Sequence, residues 1–486
     1  MPTLKTSSKA SSTESQKTLL LNPPSFEGFD GSAGSRYQAR REIRSFWYPT
    51  WLAYPAGMIE ESRLLDASAE EMGPDEVIRA ARDYELTIVH TSTPTFAHDA
   101  GFAARLKESC PRMIIGFVGP HATVSAEECL REAPAVDFVA IGEFDDTVVE
   151  VSRGVPFEEV KGLAFRKGAS LCRTPPRPLI PDLDRLPFVT GVYARDLHVE
   201  RYFGGYLKHP YVSLYAGRGC RGRCTYCLWP QTIGGGRYRV RSADNVCEEV
   251  ARAKALFLQV KEFFFDDDTF TDHPQLREIA RGMGRLGLTW SCNARANVPA
   301  ETLKFMKEHG LRLLTVGFES GSQTILDNIR KGIKVEGARL FARAAKELGI
   351  LIHGTFILGL PGETTESIEE TMRFAREIDP YSLQVSLAAP YPGTALYAQA
   401  KREGWLLAEG EGLVSDGIQN SVLSYPWLSK EEIFAAVETF YRRFYLRPGP
   451  VLRMLKDMLK DRDEFSRRVR EGREFFSFMA RRRFVA

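Results

Sequence analysis

Cysteine and histidine are scarce, with eight of each in 486 residues. So little cysteine excludes a disulfide-built scaffold and favours a reducing, cytoplasmic setting. No apolar run approaches the ~20 residues that span a bilayer. The early stretch "TLLLNPP" is too short for a signal-peptide core and has no small-residue cleavage site after it. There is no repeat of fixed period, which excludes solenoids and propellers. A net charge of either sign is nearly missing, at a formal +2 from 65 Lys/Arg and 63 Asp/Glu, but the balance is unevenly spread. Residues 441–486 hold 14 Lys/Arg and 6 Asp/Glu, a net of +8, so the remainder carries about −6.

What is present divides the chain into five parts. Residues 1–17 are polar and Ser/Thr/Lys-rich, a composition of disordered chain. From 18 to 150, "TLLLNPP", "SRLLDA", "LTIVHTS", "MIIGFVG" and "FVAIGE" read as buried strands. "PDEVIRAARDYE", "FAHDAGFAARLKESC" and "SAEECLREA" read as amphipathic helices between the later ones. The alternation predicts a parallel sheet covered on both faces, a flavodoxin-like doubly wound α/β domain. Residues 151–210 read as a linker with a hairpin at "GLAFRKGASLCR" and a proline-rich connector. Six further strand–helix repeats over 211–403 predict a partial (β/α)6 barrel, with polar residues gathered at the strand ends where such barrels carry their chemistry. Residues 404–486 read as a helical, basic region rich in aromatics. That mixture suits either an anionic membrane surface or a solvated helix packed on the barrel. No nucleic-acid motif accompanies the charge, and no nucleic-acid partner is expected.

Three of the eight cysteines crowd into "GRGCRGRCTYCLWP", as Cys220, Cys224 and Cys227. The other five are scattered and read as small buried hydrophobes. Thiolates at Cys-x-x-x-Cys-x-x-Cys suit soft metals and iron–sulfur clusters. A closed zinc site would want a fourth Cys or His nearby, and none follows. Three ligands on a four-iron cluster leave one iron open to a small chelating molecule. Arg218, Arg221 and Arg223 would offset the charge of such a cluster.

This spacing, just after the first barrel strand, resembles the radical S-adenosylmethionine (SAM) superfamily. The resemblance implies a 4Fe–4S cluster on the three cysteines, SAM on the open iron, and a reducing electron donor. It implies that Tyr226 packs near the adenine. It assigns the SAM amino group to "FFFDDDTF", through Asp267, Asp268 and Phe270. Arg295 in "CNARAN" takes the SAM carboxylate and Glu319 in "VGFESGS" the ribose. The strand and turn "HGTFILGLPGET", with Gly359, lets the adenine approach the backbone. No protein acid or base is singled out.

The first domain is similar to the cobalamin-binding domains fused to one branch of that superfamily, on "LLLNPP", "GPHAT" and "VAIGEFDDT". The resemblance implies that Gly119, His121 and Thr123 contact cobalamin. Two departures stand against it: the first-strand loop lacks the Asp-x-His-x-x-Gly motif, and Val118 stands where a first glycine is common. Over most of the chain, "NPPSFEGFDG", "REIRSFWYPTWLA", "YLKHPY" and "CLWPQTIGGGRYR" resemble the hopanoid-biosynthesis radical SAM proteins. That implies a hopanoid lipid substrate, ring contraction of glucosamine-linked bacteriohopanetetrol to its cyclitol ether, and a peripheral place on the inner face of the membrane. A cobalamin-dependent radical SAM methyltransferase acting on a lipid or secondary metabolite shares every one of these motifs. A non-catalytic iron–sulfur or cobalamin-binding carrier or sensor would be free to lose the SAM contacts at the barrel rim, whereas the Asp-Asp, Arg, Glu and Gly-rich signals are all present.

Overall fold

The computed structural model describes residues 15–25, 28, 39–460 and 462–485. Residues 1–14 of the segment expected to be disordered, and most of "SFEGFDG", lie outside the described residues.

The first sheet contains β1 (Thr18–Asn22), β2 (Ser62–Asp66), β3 (Leu86–His90), β4 (Ile114–Val118), β5 (Phe138–Ala140), β6 (Leu163–Lys167) and β7 (Ser170–Arg173), in the order β2-β1-β3-β4-β5-β6-β7. The first five strands are parallel, in the flavodoxin-like order. All five residues of β1 and all five of β3 are buried, as a sheet covered on both faces requires. The hairpin β6–β7 does not stand apart as a connector. It joins the sheet antiparallel to β5, with Phe165 opposite Phe138. The apolar run "GLAF" supplies a buried edge for β5, which outweighs the turn chemistry that suggested a free hairpin.

A second sheet holds β8 (Tyr211–Leu214), β9 (Glu262–Phe265), β10 (Trp290–Ala294), β11 (Leu311–Glu319), β12 (Leu351–Leu358) and β13 (Ser382–Leu387). Each strand pairs parallel with its predecessor, and β8 and β13 stand at the two ends of the sheet. This is an open six-stranded parallel barrel wall with its strand ends at one mouth. The fold is thus α/β throughout both main parts.

Helix α1 (Thr50–Met58) went unread in the sequence. It has no polar face and contains Pro55, so helical periodicity does not show. The structure explains the composition: Thr50 to Ala56 are all buried, because α1 lies between the first sheet and the barrel. Tyr48, just before it, donates its hydroxyl to the Tyr211 carbonyl of β8 at 2.7 Å.

The carboxy-terminal region is not helical from residue 404. A two-strand ribbon, Val414–Ser415 with Ile418–Gln419, comes first. Asp416 and Gly417 at its turn both have positive φ, the conformation that Asp-Gly favours. Helices α2 (Lys430–Tyr445), α3 (Pro448–Met458) and α4 (Arg462–Val485) follow. The α2 start is capped by Ser429 and Glu432 in a reciprocal pair.

The "LPGET" turn after β12 is held by Glu363. Its buried carboxylate accepts the Gly359 and Leu360 N–H groups, while Tyr425 donates to the Gly359 carbonyl at 2.8 Å. Burial pushes the Glu363 carboxyl up to about 8 from its usual 4.5. Its folded value thus lies above its unfolded one. The stabilisation is complete below about pH 4.5 and is lost as pH rises towards 8, falling by roughly 1.4 kcal/mol for each pH unit across that window. Glu363→Gln should therefore flatten this part of the profile. Thermal unfolding should show the variant gaining on the parent protein by a few degrees between pH 5 and pH 9.

Candidate active site

The three-cysteine loop leaves β8 and is fixed on every side before any ligand is considered. Gly217 and Gly219 lie against the segment that returns at 234–240. A Cβ on Gly219 would meet the Arg237 carbonyl oxygen at 2.3 Å, and its φ of +86° suits glycine. The Gln231 amide donates to the carbonyls of Cys224, Thr225 and Cys227 at 3.2, 3.3 and 2.7 Å. The same side chain accepts Ala395 N–H at 2.9 Å, which ties the loop to the far end of the barrel. Thr225 also donates its N–H to Ile329 and accepts from Leu396.

Arg218 contradicts its expected role. It does not face the cysteines but turns into the first domain. Its guanidinium donates to Glu143 at 2.8 Å and to both Asp145 oxygens at 2.8 and 3.0 Å, and it lies over the rings of Trp51 and Tyr54. Arg239 joins the same Glu143 at 2.9 Å. Burial opposes the charge on Arg218, but Asp145 and Glu143 outweigh it and hold the group protonated. Burial likewise opposes the Glu143 charge, and the two arginines pull its carboxyl below the usual range. Two cations and two anions therefore balance in a place water barely reaches. Arg221 and Arg223, by contrast, are exposed.

Around the thiols, Gly222 marks the centre. A Cβ there would meet Arg295 Nη1 at 3.0 Å and the sulfurs of Cys220 and Cys224 at 3.2 and 3.8 Å. Arg295 is held in that place by donating to the Lys331 carbonyl at 2.5 Å. Gly222 N–H donates to the Cys220 sulfur at 3.2 Å. Burial and the nearby Asp268 push the Cys220 and Cys227 thiols up. A bound cation or cluster would reverse that balance. Among the described residues no set of three His, Cys, Asp or Glu side chains is arranged for a single metal ion. Three thiols on one braced loop, that of Cys220 buried and those of Cys224 and Cys227 half-buried, do suit a multi-iron cluster.

The second expected site residue, Asp267, is occupied. It accepts Ala216 N–H at 3.0 Å and the Tyr238 hydroxyl at 2.7 Å, and burial raises it to about 7. It braces β8 against the 238 segment and does not offer a free carboxylate for an ammonium. Asp268 is half-buried and its charge reaches the thiols. Phe270 stacks on Phe265 in the core at 4.3 Å. Gly359 is also otherwise engaged: its N–H and carbonyl are bonded to Glu363 and Tyr425, and a Cβ would meet Ile433 at 2.9 Å.

Glu319 ends β11 at a φ of +65°, rare for a non-glycine. It pairs with Lys331 at 2.6 Å, and Lys331 reaches the Tyr226 hydroxyl at 3.5 Å. Burial opposes the Lys331 charge, but Glu319 holds it protonated. Backbone strain of this kind costs about 1–3 kcal/mol and gathers at functional sites. Nothing in "IRKGI" marked Lys331 in the sequence.

In the first domain, Gly119, His121 and Thr123 share the turn that leaves β4. Gly119 has φ +114°. Thr123 donates to the Gly119 carbonyl at 2.9 Å and accepts Gly142 N–H at 3.0 Å. His121 lies 3.2 Å from the Thr93 hydroxyl and against the Phe96 ring, and burial pushes it down to about 4. His90, at the end of β3, was not singled out. Both its ring nitrogens are buried with no partner among the described residues, and a Cβ on Gly119 would meet Nε2 at 2.9 Å. An orphaned imidazole beside a glycine cradle at the carboxyl edge fits a polar ligand of the cobalamin kind. The signal available was a histidine closing an otherwise apolar strand.

The two edges meet. The Pro120–Val124 turn packs on the helix Leu228–Thr232 that follows Cys227, and Trp51 stacks on Trp229 at 5.7 Å. A Cβ on Gly393, in the "YPGT" turn after β13, would meet Val124 at 2.4 Å.

Residues 214–375 match the Radical SAM superfamily model, and residues 39–152 match the B12 binding domain model. The chain joins a radical SAM domain to a B12-binding domain. It is 29% identical over 450 residues to an uncharacterized methyltransferase of Pyrococcus horikoshii, covering 90% of this chain and 94% of that one. It is 26% identical over 501 residues to cytidylyl-2-hydroxyethylphosphonate methyltransferase of Streptomyces wedmorensis, covering 89% and 90%. It is 26% identical over 433 residues to anaerobic magnesium-protoporphyrin IX monomethyl ester cyclase of Cereibacter sphaeroides, covering 84% and 68%. Among solved structures, the cobalamin-dependent SAM radical enzyme OxsB, with aqua-cobalamin and SAM bound, aligns at TM-score 0.66 and 14% identity, covering 97% and 72%. TsrM of Kitasatospora setae, a radical SAM methyltransferase with cobalamin and a 4Fe–4S cluster bound, aligns at 0.62 and 15%, covering 88% and 82%.

The clamp between the two domains generates a prediction. Asp145→Ala would leave Arg218 buried with half its partners, at a cost of about 3–5 kcal/mol. Denaturant unfolding of the full chain should show that loss, whereas Asp146→Ala, at a more exposed pair with Arg185, should change stability by about 1 kcal/mol or less.

Proposed function

We propose that the protein is a cobalamin-dependent radical SAM enzyme that methylates its substrate. The observation that carries this reading is the packing of the β4 turn of the B12-binding domain on the helix behind Cys227, which sets both carboxyl edges at one mouth. The relatives described as methyltransferases support methyl transfer over skeletal rearrangement.

Cys220, Cys224 and Cys227 would hold a 4Fe–4S cluster, and His90, Gly119, His121 and Thr123 would border cobalamin. When bound, these groups supply one-electron cleavage of SAM and carriage of a methyl group. The chain's own residues do the positioning. Arg295 sets a positive charge beside two thiols. The Glu319–Lys331 pair keeps a balanced dipole at the mouth and orients the Tyr226 hydroxyl. Asp267 and Gln231 keep the loop from shifting.

A second reading is ring contraction of glucosamine-linked bacteriohopanetetrol to its cyclitol ether. The sequence resemblance and the exposed apolar residues of α3 favour it. Product analysis separates the two. Methylation yields S-adenosylhomocysteine and a methylated product. Contraction yields neither, and lipids of a deletion strain would accumulate the amino-sugar hopanoid.

After anaerobic reconstitution, the parent protein should bind about four irons and form 5′-deoxyadenosine from SAM with dithionite. Cys224→Ala should lose at least tenfold in product and show a diminished charge-transfer absorption. Equal product from both would refute the assignment of the cluster to this loop.

A further inference from the structure

Helix α3 inverts the usual arrangement of a surface helix, in which apolar residues face the core. Its two buried residues are Pro450 and Asp457, and its inward bonds are polar. Arg453 pairs with Asp379 at 3.0 Å, and the buried Asp457 accepts the Tyr381 hydroxyl at 2.6 Å. Its outward side carries Val451, Leu452, Met454 and Leu455, with Leu459 just past its end. Leu452 and Leu459 are 64% and 85% exposed. At 100° per residue, positions 451, 452, 455 and 459 share an arc of about 100°. One exposed leucine needs no explanation, but a continuous strip over about two and a half turns does.

Charge frames the strip. Lys456, Lys460 and Arg462 are exposed beside it. Three acidic side chains here are bonded to cations, Asp457 to Lys460 and Arg468, Glu471 to Arg468, and Glu474 to Arg470, which leaves Lys456 and Arg462 as the cations beside the strip with no ion pair among the described residues. The whole of 441–486 carries +8. An apolar strip rimmed by cations is complementary to an anionic lipid surface, where the strip enters the headgroup–acyl boundary and the cations meet phosphates.

We propose that α3 docks this protein on anionic phospholipid membranes, lying in the plane of the surface. A second copy of the chain is a poorer occupant. The strip is about 13 Å long and about 10 Å wide, well short of the roughly 800 Å² per partner of a stable interface. Two such basic regions would also repel each other. No helix among the described residues is long and apolar enough to cross a membrane, so this contact is peripheral. The proposal needs neither cofactor nor turnover and stands apart from the chemistry at the mouth.

The test uses the full chain, without cofactors, and vesicles of phosphatidylcholine with or without phosphatidylglycerol. The protein should co-float with the anionic vesicles at low salt and detach as salt is added. The doubly substituted L452N/L455N should bind them at least tenfold more weakly. Both positions are exposed, so the variant should melt where the parent does. Lys456→Gln with Arg462→Gln should weaken binding to anionic vesicles as well. Equal binding of parent and L452N/L455N, or no binding to anionic vesicles, would overturn the proposal. So would sedimentation equilibrium showing a dimer that L452N/L455N dissolves, which would make the strip a self-association face.

Discussion

The interaction on which the rest depends is the buried contact of Arg218 with Glu143 and Asp145. It joins the residue two before the first cysteine to the loop that leaves β5 of the other domain. A buried ion pair gives little net stability over an apolar substitute, because both charges lose their water. What it gives is register. An arginine fork meets two carboxylates in few geometries, and here it ties the cysteine loop of one domain to residues 143 and 145 of the other. The glycines on either side let the backbone pass under the 234–240 segment, and the tryptophan pair 51 and 229 fills the space beside it. The mouth is thus a product of the interface as much as of the barrel.

Within that mouth the polar residues fall into two groups. Asp267, Gln231 and Glu363 bond to backbone groups of the turns around them, Asp267 taking the Tyr238 hydroxyl as well. Glu319, Lys331 and Tyr226 bond to one another beside the thiols, and Arg295 donates to the Lys331 carbonyl. A glutamate held at positive φ persists only where surrounding bonds over-determine it, and Lys331 is the bond that does so.

Much of the fold was legible because parallel strands buried on both faces read as unbroken apolar runs, and most of the strand candidates needed no finer signal than that. Helix α1 was not legible, because a helix buried all round loses its period. The cysteine loop was legible because its chemistry is local. The long-range roles were not. Arg218 sits in a loop crowded with arginines, and only the fold shows that it points away from the sulfurs. Asp267 and Asp268 are neighbours in sequence, yet in the turn after β9 one is bonded to the Ala216 N–H just past β8 and the charge of the other reaches the thiols. The "IGEFDDT" stretch was read for a ligand, and it holds a neighbouring domain. His90 carried a signal, a polar residue closing an apolar strand, but its lack of partners is a fact of packing that no linear pattern contains.

The bonds of Gln231 bear on how the protein is made. A zinc finger waits for its metal to fold, since nothing else closes its loops. Here one neutral amide gathers three carbonyls of the cysteine segment and is itself caught by the chain near residue 395. Those bonds run through carbonyls rather than sulfurs, so the course of the cysteine segment is set by the polypeptide's own amide as well as by whatever its thiols hold.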